Sequence, residues 1–193
     1  ESDNQLILDE YLHGQITGDR FEEEMRLWPN YSTDYASLIS YARDHNIPIV
    51  ATNIPRRYAT AVKEHGLSYL DSFSIEAKAY MAPLPIHFQT NESVEQGFVL
   101  MGLMGKNKNV NSRQIAEAQA IKDATMAWRI AKNLQEKFIH FNGNFHTDNH
   151  EGIIPYLLQY KPETTYMVVR AVRQENILRL EDEYKGIADF YIC

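Results

Sequence analysis

Phe138-Ile139-His140-Phe141-Asn142 is followed by Gly143-Asn144-Phe145-His146-Thr147-Asp148-Asn149 and then, from Ile153 to Leu158, by an apolar run. The first five residues alternate in the way of a strand. The Gly, Asn and Asp cluster marks a turn, and the apolar run opens a helix. Strand, polar turn and new helix is the unit of open α/β sheets, in which the turn lies at the carboxyl ends of the strands, where ligands bind. His146 is therefore placed for chemistry.

Upstream of this unit, Ala118-Gln119-Ala120-Ile121-Lys122-Asp123-Ala124-Thr125-Met126-Ala127 reads as part of a long helix. Asn111 and Gln114 look like the two ends of its capping box, and it is expected to run to about Lys137 with Ile121, Thr125, Trp128 and then Phe138 along the core face. Nearer the start, a short helix covers 6–12, and Asp19 is expected to cap another through Phe21 and Met25. Tyr35, Leu38, Ile39 and Ala42 form a third behind Asp34, ended by Asn46 and Pro48. Residues 49–52 read as a buried strand, Asn53-Ile54-Pro55-Arg56 as a turn, and 57–65 as a helix closed by Gly66. Beyond the central unit, 165–172 and 188–192 read as strands. This alternation predicts an α/β fold, a mostly parallel sheet flanked by helices with right-handed crossovers. Residues 67–108, divided by Pro83 and Pro85 and clearly helical only over 92–104, are expected to be a small helical insertion or subdomain.

Length and composition agree with one domain spanning 1–193, long enough to bury a continuous core without crosslinks. With 44% hydrophobic and 23% charged residues the chain is globular in character, and no apolar run reaches the ~18 residues of a membrane-spanning helix. A net charge of -7 argues against a nucleic-acid partner, which needs a basic face. The single cysteine, Cys193, excludes an internal disulfide. Glu1-Ser2-Asp3-Asn4 has no initiating Met and no apolar targeting segment, so the domain is expected to be incomplete at its amino end.

If the strands at 49–52 and 138–142 are parallel, Asn53, Arg56 and His146 emerge on one edge of the sheet. Gln119, Asp123 and Met126, at i, i+4 and i+7, share a face of the long helix. Asn53, Arg56, Gln119, Asp123 and Met126 are thus the candidate cofactor-binding residues, and His146 the candidate metal ligand. His146, His150 and Asp148 together carry ligand types that suit zinc, manganese or iron, while the plain reading makes them hydrogen-bonded turn residues. Asp123 reads either as a site carboxylate or as a surface residue paired with Lys122 or Arg129. Arg56 and Arg57 also fit a solvated helix start. The Met- and Gly-rich run 97–105 fits a flat apolar ligand or ordinary core packing. Twelve tyrosines offer phenolates of the kind that hold ferric haem. No Gly-rich phosphate loop, Ser elbow or internal Cys nucleophile is present.

Asp3-Asn4-Gln5, Ala51-Thr52-Asn53-Ile54-Pro55-Arg56, Ala118-Gln119 with Lys122-Asp123 and Met126-Ala127, and Gly143-Asn144-Phe145-His146 with Gly152-Ile153-Ile154-Pro155 resemble, in this order, the ChaN-like proteins of the haem-binding uptake and Tiki superfamily. The resemblance implies an α/β domain with a smaller helical part, haem as cofactor, and a role in iron or haem uptake. It further implies a lipoprotein of the bacterial cell envelope, membrane-anchored or periplasmic, whose membrane contact runs through a lipid anchor outside this chain. A homodimer enclosing haem between helical subdomains belongs to the same picture. Members of the family begin with a strand bearing Gly-Glu-x-His, which is missing before Asp3. The wider superfamily supplies the alternative, a metal-dependent hydrolase in which His146 and an upstream histidine hold a divalent metal ion, with Asp123 as ligand or base. Haem binding without catalysis is the preferred expectation.

Overall fold

The computed structural model describes residues 1–88 and 111–193, so the expected helix at 92–104 and the run 97–105 lie outside the described residues. Three short helices open the chain: α1 (Gln5–Leu12), α2 (Gly18–Glu24) and α3 (Ala36–Asp44). Leu8, Tyr11, Phe21 and Tyr31 form their core, with Tyr11 stacked on Phe21 at 4.4 Å between ring centroids. Thr17, not Asp19, caps α2, because its hydroxyl accepts from the Arg20 N–H while Asp19 sits in the first turn. Asp34 accepts from the Asn30 side chain and does not cap α3.

The centre is a wall of helices. α4 (Arg56–His65) ends where Gly66 takes φ +87°. A 3-10 turn (Leu67–Ser72) and the single-turn α5 (Ile75–Lys78) follow. The long helix α6 (Ser112–Asn133) is capped by Asn111, whose side chain accepts from the Arg113 N–H at 3.0 Å. Gln114 does not close the capping box, because its amide reaches Glu64 O instead, and α6 stops at Asn133, short of Lys137. Small residues at 116, 118, 120, 124 and 127 let α4 and the next helix approach closely. Ile54, Tyr58, Val62, Leu70, Met81 and Ile121 fill one side, and Met126, Ala127, Ile130, Ile153 and Leu157 the other. α7 (Ile153–Tyr160) begins at the apolar run that follows the loop. Full burial of a side chain such as Val62 or Leu70 contributes about 1.5–3 kcal/mol.

The sheet is much smaller than the sequence predicts. Among the described residues it consists of β1 (Val169–Ala171) and β2 (Phe190–Ile192), parallel, with Val169 opposite Phe190. Residues 49–52 and 138–142 are extended but make no backbone ladder among the described residues. The Gln5 side chain takes a neighbouring strand's place beside the first, donating to Ile49 O at 2.9 Å and accepting from the Ala51 N–H at 2.7 Å. The fold is therefore mainly helical with a small parallel sheet. Among the described residues the sheet is parallel but limited to two strands, because alternation and β-branching identify extended segments without supplying their partners.

Candidate functional site

The two extended segments end side by side. The Thr52 hydroxyl meets His140 Nε2 at 2.7 Å, and His140 Nδ1–H donates to Asn142 Oδ1 at 3.1 Å. Burial pushes the His140 imidazole below its ordinary value, so it is held neutral and accepts from Thr52. Asn142 in turn donates to Gly143 O and to the Thr147 hydroxyl, which bends the chain into the loop carrying His146.

His146 then meets α6. Its Nδ1–H donates to Asp123 Oδ1 at 2.5 Å. Asp123 is only 5% exposed, and burial pushes its carboxyl up while the bond to His146 pulls it back. This pairing fixes the proton on Nδ1 and leaves Nε2 with a free lone pair and no hydrogen bond among the described residues. A carboxylate behind one ring nitrogen orients an imidazole ligand and raises the basicity of the other. Gly152 makes the geometry possible: at φ +59° it lies so close to the loop that a Cβ there would stand 2.3 Å from the His146 carbonyl oxygen. Only glycine satisfies both conditions.

Around the pair lie groups of mixed polarity. Burial pushes the Tyr156 phenol up to about 12, with the Asp123 charge adding to the effect, so it stays protonated at neutral pH and its O–H reaches His87 O. Lys122 is half-buried, its ammonium drawn down by desolvation and back up by Asp123, and it has no ion pair among the described residues. Asn53 Oδ1 and Gln119 Oε1 are buried acceptors with no donor among the described residues.

Of the residues expected from sequence, Asp123 and His146 are brought into contact, and Asp123 is a buried site carboxylate, not a surface partner of Lys122 or Arg129. Gln119 is one turn from Asp123 on the same helix, with its amide oxygen unmet among the described residues. Asn53 follows Thr52, and its backbone oxygen accepts from the Ser2 N–H. Arg56 is turned toward Glu1, its backbone N–H donating at 2.9 Å and its guanidinium 3.5 Å away. Met126 is 3% exposed and packs in the core cluster between α6 and α7. His150 does not join His146 on a metal but lies 3.8 Å from Asp189. Among the described residues no three His, Cys, Asp or Glu side chains converge on a metal position, so the divalent ion is not carried by this donor set. His140, Thr52 and Tyr156 escaped the sequence reading. The period-2 placement of His140 with Asn142, both inward, was the available signal.

A cavity of about 720 Å³ opens away from the Asp123–His146 pair, between the end of α4 and the start of α6. Gly66, Leu67, His87, Arg113 and Glu117 are among its lining residues. Glu117 Oε2 accepts there from the Leu67 N–H at 3.0 Å and Oε1 from Arg113 Nε at 3.0 Å, so its charge is met.

The model of a family described as haem-binding uptake, Tiki superfamily, ChaN matches residues 1–157. A solved structure described as cofacial heme binding to ChaN of Campylobacter jejuni has the same fold: TM-score 0.64, 20% identity, covering 98% of this chain and 69% of that one. No curated protein matches the chain.

Proposed function

Because the chain belongs to the haem-binding uptake, ChaN family of the Tiki superfamily, we propose that it binds haem in the course of haem or iron uptake. The observation that carries this reading is the Asp123–His146 pair, an imidazole already oriented and polarised by a buried carboxylate, with Nε2 free to meet iron. His146 would hold the iron of haem through Nε2, a single histidine being one of the ways proteins bind it. Lys122, without an ion pair among the described residues, supplies a positive charge suited to a haem propionate, and Asn53 and Gln119 offer polar groups on the same elements. Met126 is packed away from any such contact. Electron and ligand chemistry would belong to the bound haem, while the chain supplies orientation and charge. We place the protein at the bacterial cell envelope, held there by a lipid anchor and working as a homodimer around haem, on the strength of the family resemblance.

Haemin titration followed by absorbance tests the reading. The wild type should give a saturable Soret band, and His146→Ala should bind about 10- to 100-fold more weakly, the usual cost of disturbing a ligand shell. An unchanged titration in His146→Ala would remove His146 as ligand. No saturable band in the wild type, with metal-dependent hydrolysis in its place, would overturn haem binding altogether.

A further inference from the structure

We propose that Arg170, on β1, is a positioning residue for His146, acting through the loop 143–152. The family match ends at residue 157, yet that loop is held from the segment beyond it. Arg170 Nη1 donates to Asp148 Oδ2 at 2.9 Å, with both side chains largely covered. The Asn149 N–H donates to Ile187 O at 2.9 Å, and the Asn144 amide to Ala171 O at 3.3 Å. Between these fastenings Asn149 and His150 sit at φ +58° and +59°. Side chains other than glycine seldom adopt that region, and they remain there only when the surroundings over-determine the backbone.

The Arg170–Asp148 pair is the charged fastening of the set, two residues from His146. The guanidinium also lies over the Tyr184 ring at 5.2 Å, which limits its freedom. The pair is joined by a single bond, since Arg170 Nε and Asp148 Oδ1 have no partner among the described residues. Removing the cation therefore leaves a partly buried carboxylate uncompensated at the point where the strained backbone must be restrained. A ligand shell tolerates only about 0.5 Å of displacement, so a small relaxation of 147–150 is enough to loosen the bond from His146 to Asp123. A lysine can make the same single bond.

The test compares Arg170→Met with Arg170→Lys by proton and nitrogen NMR of the His146 ring and by haemin titration. In Arg170→Met the Nδ1 proton bound to Asp123 should exchange with water at least about tenfold faster, and the haemin Kd should rise about tenfold or more. Arg170→Lys should restore both. A ring-proton signal and a haemin affinity within twofold of wild type in Arg170→Met would overturn the assignment, as would equal losses in both variants. Should Arg170→Met fail to fold, Asp148→Asn removes the same ion pair and is read by the same two outcomes. The haemin readout rests on the haem reading above, whereas the ring proton does not. A wild type that takes no haemin refutes that reading and leaves the NMR result to decide the role of Arg170.

Discussion

α6 and the extended segments 138–142 and 167–171 lie on the two sides of His146 and are built differently. Along α6, Ala116, Ala118, Ile121, Ala124, Thr125, Ala127 and Ile130 are buried, the Thr125 hydroxyl accepts from the Ala82 N–H, and Lys161 Nζ reaches Leu134 O just past the helix end. On the extended segments only the inward positions are covered. Phe138 packs beneath α6 and α7 and Val168 is 5% exposed, but Ile139 is 80% exposed, Phe141 65%, and Met167, Val169, Phe190 and Ile192 are exposed too. Apolar side chains on both faces are the pattern of a parallel sheet covered on both sides. A rigid, closed wall thus presents Asp123, while the imidazole comes from the looser side, so the loop's own fastenings decide how well the two meet.

The sharpest way to break this contrast is to delete the same atoms on each side. Ile121→Ala, at a position with no exposure, should destabilise the protein by about 2–5 kcal/mol, whereas Ile139→Ala should stay within about 0.5 kcal/mol. Urea unfolding of the two variants measures both. Comparable losses would show that the outward face is covered in solution and that the two regions are energetically alike.

Next in size is Gly152→Ala, which attacks the junction itself. A methyl group forced against the His146 carbonyl, on a backbone at φ +59°, should cost about 2–3 kcal/mol and displace the loop. The thermal midpoint together with haemin affinity reads this out. A stable variant with normal affinity would mean that the loop adapts, and that the wall alone defines the site.

How far the sequence discloses each region follows from what holds it. Periodicity places α1, α4, α6 and α7 because helices satisfy their own backbone groups and need only a buried stripe. It identifies 49–52 and 138–142 as extended but overstates them as sheet, since a strand's partners are remote and, beside 49–51, the partner is a glutamine side chain. His146 and Asp123 were legible from turn chemistry and helical spacing. Their contact was inferable only by assuming that two turns share an edge. Arg170 carries no local signal, because its value depends on Asp148 and on two left-handed residues that the sequence marks only as Asn and His.

The smallest expected effect concerns pH and isolates the looser side. His140 is held neutral by burial, its pKa below the ordinary 6.5, so the folded state binds fewer protons at this ring than the unfolded chain does. Its contribution to stability is therefore fully present above about pH 6.5 and is lost as the pH falls below it. Asp123 acts in the opposite sense: burial raises its carboxyl above the ordinary 3.8, so its contribution falls as the pH rises from there through its folded-state value. His140→Gln keeps hydrogen-bonding capacity toward Thr52 and removes the ring's titration. It should flatten the rise in unfolding free energy that the wild type shows as the pH climbs toward about 6.5. Stability curves for wild type and variant across that range measure the difference. Parallel curves would mean that His140 is solvated, and that the end of 138–142 is looser than its bond to Thr52 implies.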